Sequence, residues 1–222
     1  MSFSSEWDTV YQAGKQHTAW PWSDLVSLVY RHIPTAFSKC RVLELGCGTG
    51  ANVPFFLALG ADYYAVEGSD SAVAVVHERY PSVRNTVTVG DFTEALPSGP
   101  FDLIVDRAAL THNCTRAIRN TLELVRERLV PGGCYIGIDW FSDRHSDRAI
   151  GSVVDDGNTF TQFDAGQFQG VGRVHFSDES HLRYLFSRFE LILLAEKTIR
   201  RLQPPDEHLF ASFNIVAKKP RD

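Results

Sequence analysis

The stretch Val42-Leu43-Glu44-Leu45-Gly46-Cys47-Gly48-Thr49-Gly50 decides the fold of this 222-residue chain. Arg41–Leu45 is a short apolar run that reads as a buried strand, and three alternating glycines follow it at once. Glycine takes positive φ and lets backbone approach a ligand closely. Residues 51–59 read as a helix with Pro54 near its first turn, where a missing N–H costs little, and Gly60 closes it. Strand, glycine turn and helix in that order put free helix N–H groups at the carboxyl edge of a sheet.

The alternation continues outward. Tyr63–Glu67 reads as a second strand and 70–79 as a helix stopped by Pro81. Thr86–Gly90 and Phe101–Asp106 read as the third and fourth strands. In 115–129, Ile118, Leu122, Val125 and Leu129 make a helical stripe. Pro131-Gly132-Gly133 reads as a stop, and Cys134–Asp139 as a fifth strand. Such β–α units imply a mostly parallel sheet covered on both faces. Upstream, residues 1–22 hold Trp7, Tyr11, Trp20 and Trp22, an aromatic arm. Residues 23–33 read as a helix with Ser23 as N-cap, ended by Pro34.

The pattern breaks over 142–176, which is rich in glycine and phenylalanine and reads as a lid-like insertion. A helix follows with Ser177 as its expected N-cap. Glu190–Ala195 and Leu209–Ala217 then read as two strands of an antiparallel hairpin. The expected organisation is one domain, 1–222, with an N-terminal arm and helix (1–36) and the insertion.

Composition narrows the function. The chain is 44% hydrophobic and 22% charged with a net charge of −5. That balance suits a soluble enzyme and argues against a phosphate-gripping nucleic-acid binder. Polar residues interrupt any leader-like run at the start, and no apolar stretch approaches the ~20 residues that span a bilayer. The expectation is a cytoplasmic protein without membrane contact and with reduced thiols. Cys40, Cys47, Cys114 and Cys134 form no C-x-x-C pair, and no metal site is expected.

Glu67 ends the second strand, 21 residues after Gly46. A carboxylate there can accept from both hydroxyls of a ribose. The nucleotide stays open on spacing alone, because Gly46-x-Gly48-x-x-Ala51 also fits the dinucleotide fingerprint.

Glu44–Gly50 resembles the first motif of class I S-adenosylmethionine (SAM)-dependent methyltransferases. The resemblance continues in order through Glu67-Gly68-Ser69, Val89-Gly90-Asp91-Phe92, Phe101–Asp106 and Leu129–Gly133. It implies a Rossmann-like seven-stranded sheet of order 3-2-1-4-5-7-6, with the last strand antiparallel and helices on both faces. It also implies SAM as cofactor, held by Glu44, Gly46, Cys47, Gly48, Gly50, Glu67, Gly68, Asp91 and Phe92. In this reading Glu67 takes the ribose, Asp91 the adenine amino group and Phe92 the ring, while Asp106 faces the methionine ammonium. The arm and Ser142–Ser146 resemble small bacterial methyltransferases acting on small molecules. Asp106-Arg107-Ala108-Ala109 stands where many base-amino methyltransferases carry Asn-Pro-Pro-Tyr.

The expected acceptor is a small molecule, with a sugar or other metabolite hydroxyl as the leading case. The catalytic candidates are Asp106, His112 and His145. His112 titrates near neutrality, and His145 is expected to pair with Asp139 or Asp143. Tyr11, Arg107, His112 and His145 are the candidate substrate contacts, with Tyr11 and Trp22 closing over the cofactor. Two rivals remain: an NAD-dependent oxidoreductase, which needs a Tyr-x-x-x-Lys pair or equivalent that this chain is expected to lack, and a non-catalytic SAM-binding protein.

Overall fold

A computed structural model describes residues 6–14, 17–33, 37–154 and 156–221. Along the chain run α1 (Glu6–Gln12), α2 (Ser23–His32), β1 (Arg41–Leu45), α3 (Val53–Ala58), β2 (Asp62–Glu67), α4 (Asp70–Arg79) and β3 (Val87–Val89). Next come β4 (Phe101–Arg107), α5 (Thr115–Arg128), β5 (Leu129–Phe141), β6 (Ser152–Val154), β7 (Thr159–Thr161) and β8 (Val174–His175). The chain ends with α6 (Glu179–Leu185), β9 (Glu190–Arg200) and β10 (Leu209–Lys218). Pro34, expected to stop α2, lies outside the described residues.

Seven strands form one sheet in the order β3-β2-β1-β4-β5-β10-β9. The first five pair in parallel, and β10 is antiparallel to both β5 and β9. This is the expected 3-2-1-4-5-7-6 sheet; only the strand numbers shift, because the insertion adds strands of its own. Each face carries its own apolar layer. One holds Val29, Phe56, Val76 and Ile136; the other holds Leu45, Ile104, Leu122, Trp140 and Phe186. The alternation of these side chains along β1 and β4 is the strand period applied to a sheet covered on both sides.

Several local expectations change. Strand β5 begins at Leu129 and runs through the Pro131-Gly132-Gly133 stretch, absorbing it as a register shift against Phe101–Leu103. The N-cap of α6 is Asp178, whose carboxylate accepts from the His181 amide at 2.7 Å; Ser177 sits one residue too early. Ser23 is already helical and gives no cap bond. The insertion is not irregular throughout: β6, β7 and β8 form a small antiparallel sheet. Behind it, Phe141, Phe160, Phe163, Phe168 and Phe176 make a third apolar cluster. Asp156 of the insertion accepts from the first amide of α5 at 2.7 Å, tying that helix start to the lid. Among the described residues no helix is long and apolar enough to cross a membrane.

Candidate active site

The carboxyl ends of β1, β2, β4 and β5 and the turn after β3 surround a cavity of about 290 Å³, roofed by α1 and the segment before α2. Its position follows from topology: the crossovers leave a crevice where the strand order reverses, between β1 and β4.

One lobe is built on the glycine turn. Gly48 has φ +52°, and its amide donates to Glu67 Oε2 at 2.8 Å. Glu67 Oε1 accepts from the Ser69 amide at 3.0 Å, so the carboxylate spans the tips of β1 and β2. Burial pushes its pKa up, against the Ser69, Gly48 and Gly68 amides that favour the anion. Glu44 lies deeper, accepting from Asn52 Nδ2 at 2.7 Å and from the Tyr63 hydroxyl at 2.6 Å. Burial raises Glu44 to about 7. Asp91 holds its own turn by accepting from the Thr93 amide and hydroxyl, and the Phe92 ring packs near Gly46. A Cβ on Gly46 would collide with Ala109, so the turn after β4 needs glycine there. Cys47 is buried with its thiol pKa pushed well up, which removes it as a nucleophile.

Of the residues expected to hold the cofactor, Glu44, Gly46, Cys47, Gly48, Glu67, Asp91 and Phe92 line this cavity; Gly50, Gly68 and Asp106 do not. Asp106 is the clearest departure. Its Oδ1 accepts from the Ala109 and Leu110 amides at 2.8 and 3.1 Å. Its Oδ2 accepts from Trp140 Nε1 at 2.8 Å and from the Tyr135 hydroxyl at 3.2 Å. Four donors fill the carboxylate, and burial raises it to about 6. It braces the turn after β4 and has no bond left for a ligand ammonium or a proton transfer.

The second lobe holds Trp7, Trp22, Arg107, His112, Gln167 and Phe168, with Phe141 and Phe210 alongside. His112 Nδ1 lies 2.8 Å from the Arg173 carbonyl. A carbonyl only accepts, so Nδ1 carries the proton and Nε2 keeps its lone pair. Burial pushes His112 down to about 4. Trp7 meets the imidazole edge to face with centroids 4.8 Å apart. Arg107 stacks on the Trp22 ring at 3.8 Å and pairs with Asp139 at 3.3 Å.

His145 is not where it was expected. It is walled off from the cavity by Phe141, Phe168 and Phe210, with the rings of Phe176 and His208 also against it. Its partner is neither Asp139 nor Asp143: Nδ1 accepts from the Asp147 amide at 3.1 Å. Asp139 instead pairs with Arg107 and Lys197. The structure also brings His208 to Asp147, at 2.8 Å, forming a His145–Asp147–His208 cluster that linear spacing conceals. The Asp147 amide occupies the Nδ1 lone pair and leaves the proton on Nε2, so His145 as placed offers no lone pair to a cation.

The arm is a helix docked on the site. Asp8 Oδ1 accepts from the Ser69 hydroxyl at 2.6 Å and the Ser71 amide at 3.3 Å, at the start of α4. A Cβ on Gly48 would stand 2.8 Å from the Tyr11 hydroxyl oxygen, so the phenol lies directly over the loop. Tyr11 and Lys15 do have the Tyr-x-x-x-Lys spacing required by the oxidoreductase reading. Lys15 lies outside the described residues. Burial and Glu67 push the Tyr11 phenol up, away from the lowered value a proton-transferring tyrosine needs. Sequence reasoning missed Asn52, Gln167, Phe210 and the Asp8 latch.

A family model described as a methyltransferase domain matches residues 42–133. The dTDP-4-amino-2,3,4,6-tetradeoxy-D-glucose N,N-dimethyltransferase of Saccharopolyspora spinosa is 30% identical over 152 residues, covering 67% of this chain and 59% of that protein. The chain thus spans about three-fifths of that curated relative, and 39% of others it matches. Among solved structures, a SAM-dependent methyltransferase from Methanosarcina mazei superposes with a TM-score of 0.70 at 16% identity, over 91% of this chain and all of that one. The 1,6-didemethyltoxoflavin-N1-methyltransferase of Burkholderia thailandensis gives 0.68 at 17% identity, over 97% and 86%. With the motifs in order and the strand order that accompanies them, the chain belongs to the class I SAM-dependent methyltransferase family.

Proposed function

We propose that this protein transfers a methyl group from SAM to a small-molecule acceptor. One observation carries the reading: a single cavity is lined both by Glu67 and Asp91, which suit a nucleoside, and by His112, whose Nε2 is unprotonated. The residues present fit SAM. Glu67 lies on the wall as a carboxylate within reach of a ribose, Phe92 offers an apolar surface, and the glycine turn keeps its backbone clear of Cβ atoms at the cavity.

When bound, SAM supplies a methyl group activated by a positively charged sulfur. What remains for the protein is alignment, exclusion of water and acceptance of one proton. Glu67 and the glycine turn set the depth of the nucleoside. The arm covers it through Tyr11 and Trp7. His112 Nε2 takes the proton of an acceptor O–H or N–H, and the Arg173 carbonyl holds the ring in the tautomer that can do so. The names of an amino-sugar N,N-dimethyltransferase and a 1,6-didemethyltoxoflavin-N1-methyltransferase among the similar proteins support a small acceptor and a nitrogen nucleophile.

The test is calorimetric titration with SAM and with NAD, followed by incubation with methyl-labelled SAM and a fractionated small-metabolite extract. SAM binding and label in the small-molecule fraction are expected. NAD binding without SAM binding overturns the reading, and SAM binding without label in any fraction reduces it to a non-catalytic cofactor binder.

A further inference from the structure

The second lobe sets aromatic rings beside a few polar side chains. A sugar carries a hydroxyl on nearly every ring carbon, and each one buried without a partner is penalised. Here Phe141, Phe168, Phe210 and Val171 supply much of the wall, with Arg107, His112, Asn113 and Gln167 as the polar side chains beside them. Such a wall matches the faces of a planar ring.

Arg107 adds a specific demand. Its guanidinium is held on one side by the Trp22 ring at 3.8 Å and at one end by Asp139 at 3.3 Å. Asp139 is itself fixed, accepting from Lys197 Nζ at 2.7 Å and the Ser212 hydroxyl at 3.1 Å, in a left-handed backbone conformation with φ +56°. Strained backbone of this kind persists where surrounding structure enforces it. Yet Arg107 Nε is buried and makes no hydrogen bond. That buried Nε is out of a ligand's reach, but the Arg107 side chain is 33% exposed and lines the cavity, so its terminal N–H groups remain for an acceptor oxygen.

Building on the methyltransferase reading, the geometry points to a flat, largely apolar ring compound bearing a carboxylate or carbonyl oxygen as the methyl acceptor, with Arg107 gripping that oxygen. Asp139 is then a positioning residue, acting through Arg107. This departs from the sugar hydroxyl that the sequence suggested.

The experiment is calorimetry on the intact protein in two stages. First, S-adenosylhomocysteine is titrated into the wild type, Arg107→Gln and Arg107→Lys. Then the protein saturated with it is titrated with 4-hydroxybenzoate, its uncharged counterpart 4-hydroxybenzyl alcohol, and methyl α-glucoside. S-adenosylhomocysteine should bind all three proteins within threefold, which also shows that the variants are folded. 4-Hydroxybenzoate should bind the wild type saturably, and Arg107→Gln should weaken it at least tenfold, with Arg107→Lys between. The alcohol should be indifferent to the substitution, and the glucoside should not bind. A matching loss of S-adenosylhomocysteine affinity in Arg107→Gln assigns the arginine to the cofactor carboxylate and overturns the proposal. Preference for the glucoside, or no aromatic binding, overturns it too. Failure of S-adenosylhomocysteine to bind the wild type sinks the methyltransferase reading instead, a distinguishable result.

Discussion

The His112 imidazole donates Nδ1–H to the backbone carbonyl of Arg173 at 2.8 Å, so the lid-like insertion fixes the tautomer of a ring that belongs to the turn after β4. His112 works as a base only when unprotonated, and burial holds it near 4 instead of the ordinary 6.5. Activity should therefore stay flat from neutral pH down to about pH 5 and fall as pH drops through about 4. His112→Gln should lower kcat roughly a hundredfold or more without comparable change in SAM affinity. A pH–rate profile with its acid limb at 6.5 would remove His112 from this role.

Glu67→Ala deletes the acceptor of the Gly48 and Ser69 amides together with the expected ribose contact. SAM affinity should fall at least tenfold, equivalent to about 1.4 kcal/mol, in a calorimetric titration. Unchanged affinity would place the nucleoside elsewhere.

Asp106→Asn tests bracing against ligand binding. An amide accepts on one atom only, so two of the four donors now satisfied would face an NH2 group. The cost should be about 3 kcal/mol, seen as a Tm lowered by roughly 10 °C. The additional Tm rise on adding S-adenosylhomocysteine should survive. If stability holds and that rise disappears, Asp106 contacts the ligand after all.

Asp8→Ala removes the bonds that seat α1 on Ser69 and Ser71. The arm should become susceptible to limited proteolysis and its tryptophan emission should shift to the red. The rate of SAM dissociation, followed by stopped flow, should rise several-fold. Identical protease sensitivity in variant and wild type would show that Trp7 and Tyr11 suffice to hold the arm.

Much of the frame was legible because periodicity and punctuation are local. The helix at 70–79 is bounded by Ser69, whose hydroxyl accepts from the Ala72 amide, and by Pro81. The β1 strand ends where the first glycine turns. What escaped was decided at a distance. His145 looked like a base because Asp139 and Asp143 are its chain neighbours, but the phenylalanines of the insertion fold over it and leave the Asp147 amide as its partner. Asp106 looked available for a ligand because Tyr135 and Trp140, which fill its Oδ2, come from the adjacent strand on either side of Gly137, its register partner. The three short strands between 152 and 175 carry too few residues for an alternation to stand out.

Ser69 donates its hydroxyl proton to Asp8, accepts from the Ala72 amide, and gives its own amide to Glu67. One serine therefore joins three otherwise separate things: the roof, the start of α4 and the carboxylate beneath the nucleoside. Lifting the roof strips a hydroxyl bond from the same residue that steadies that carboxylate. Opening the roof should therefore loosen that carboxylate too, and spent cofactor should depart at the pace at which one short helix lets go of one side chain.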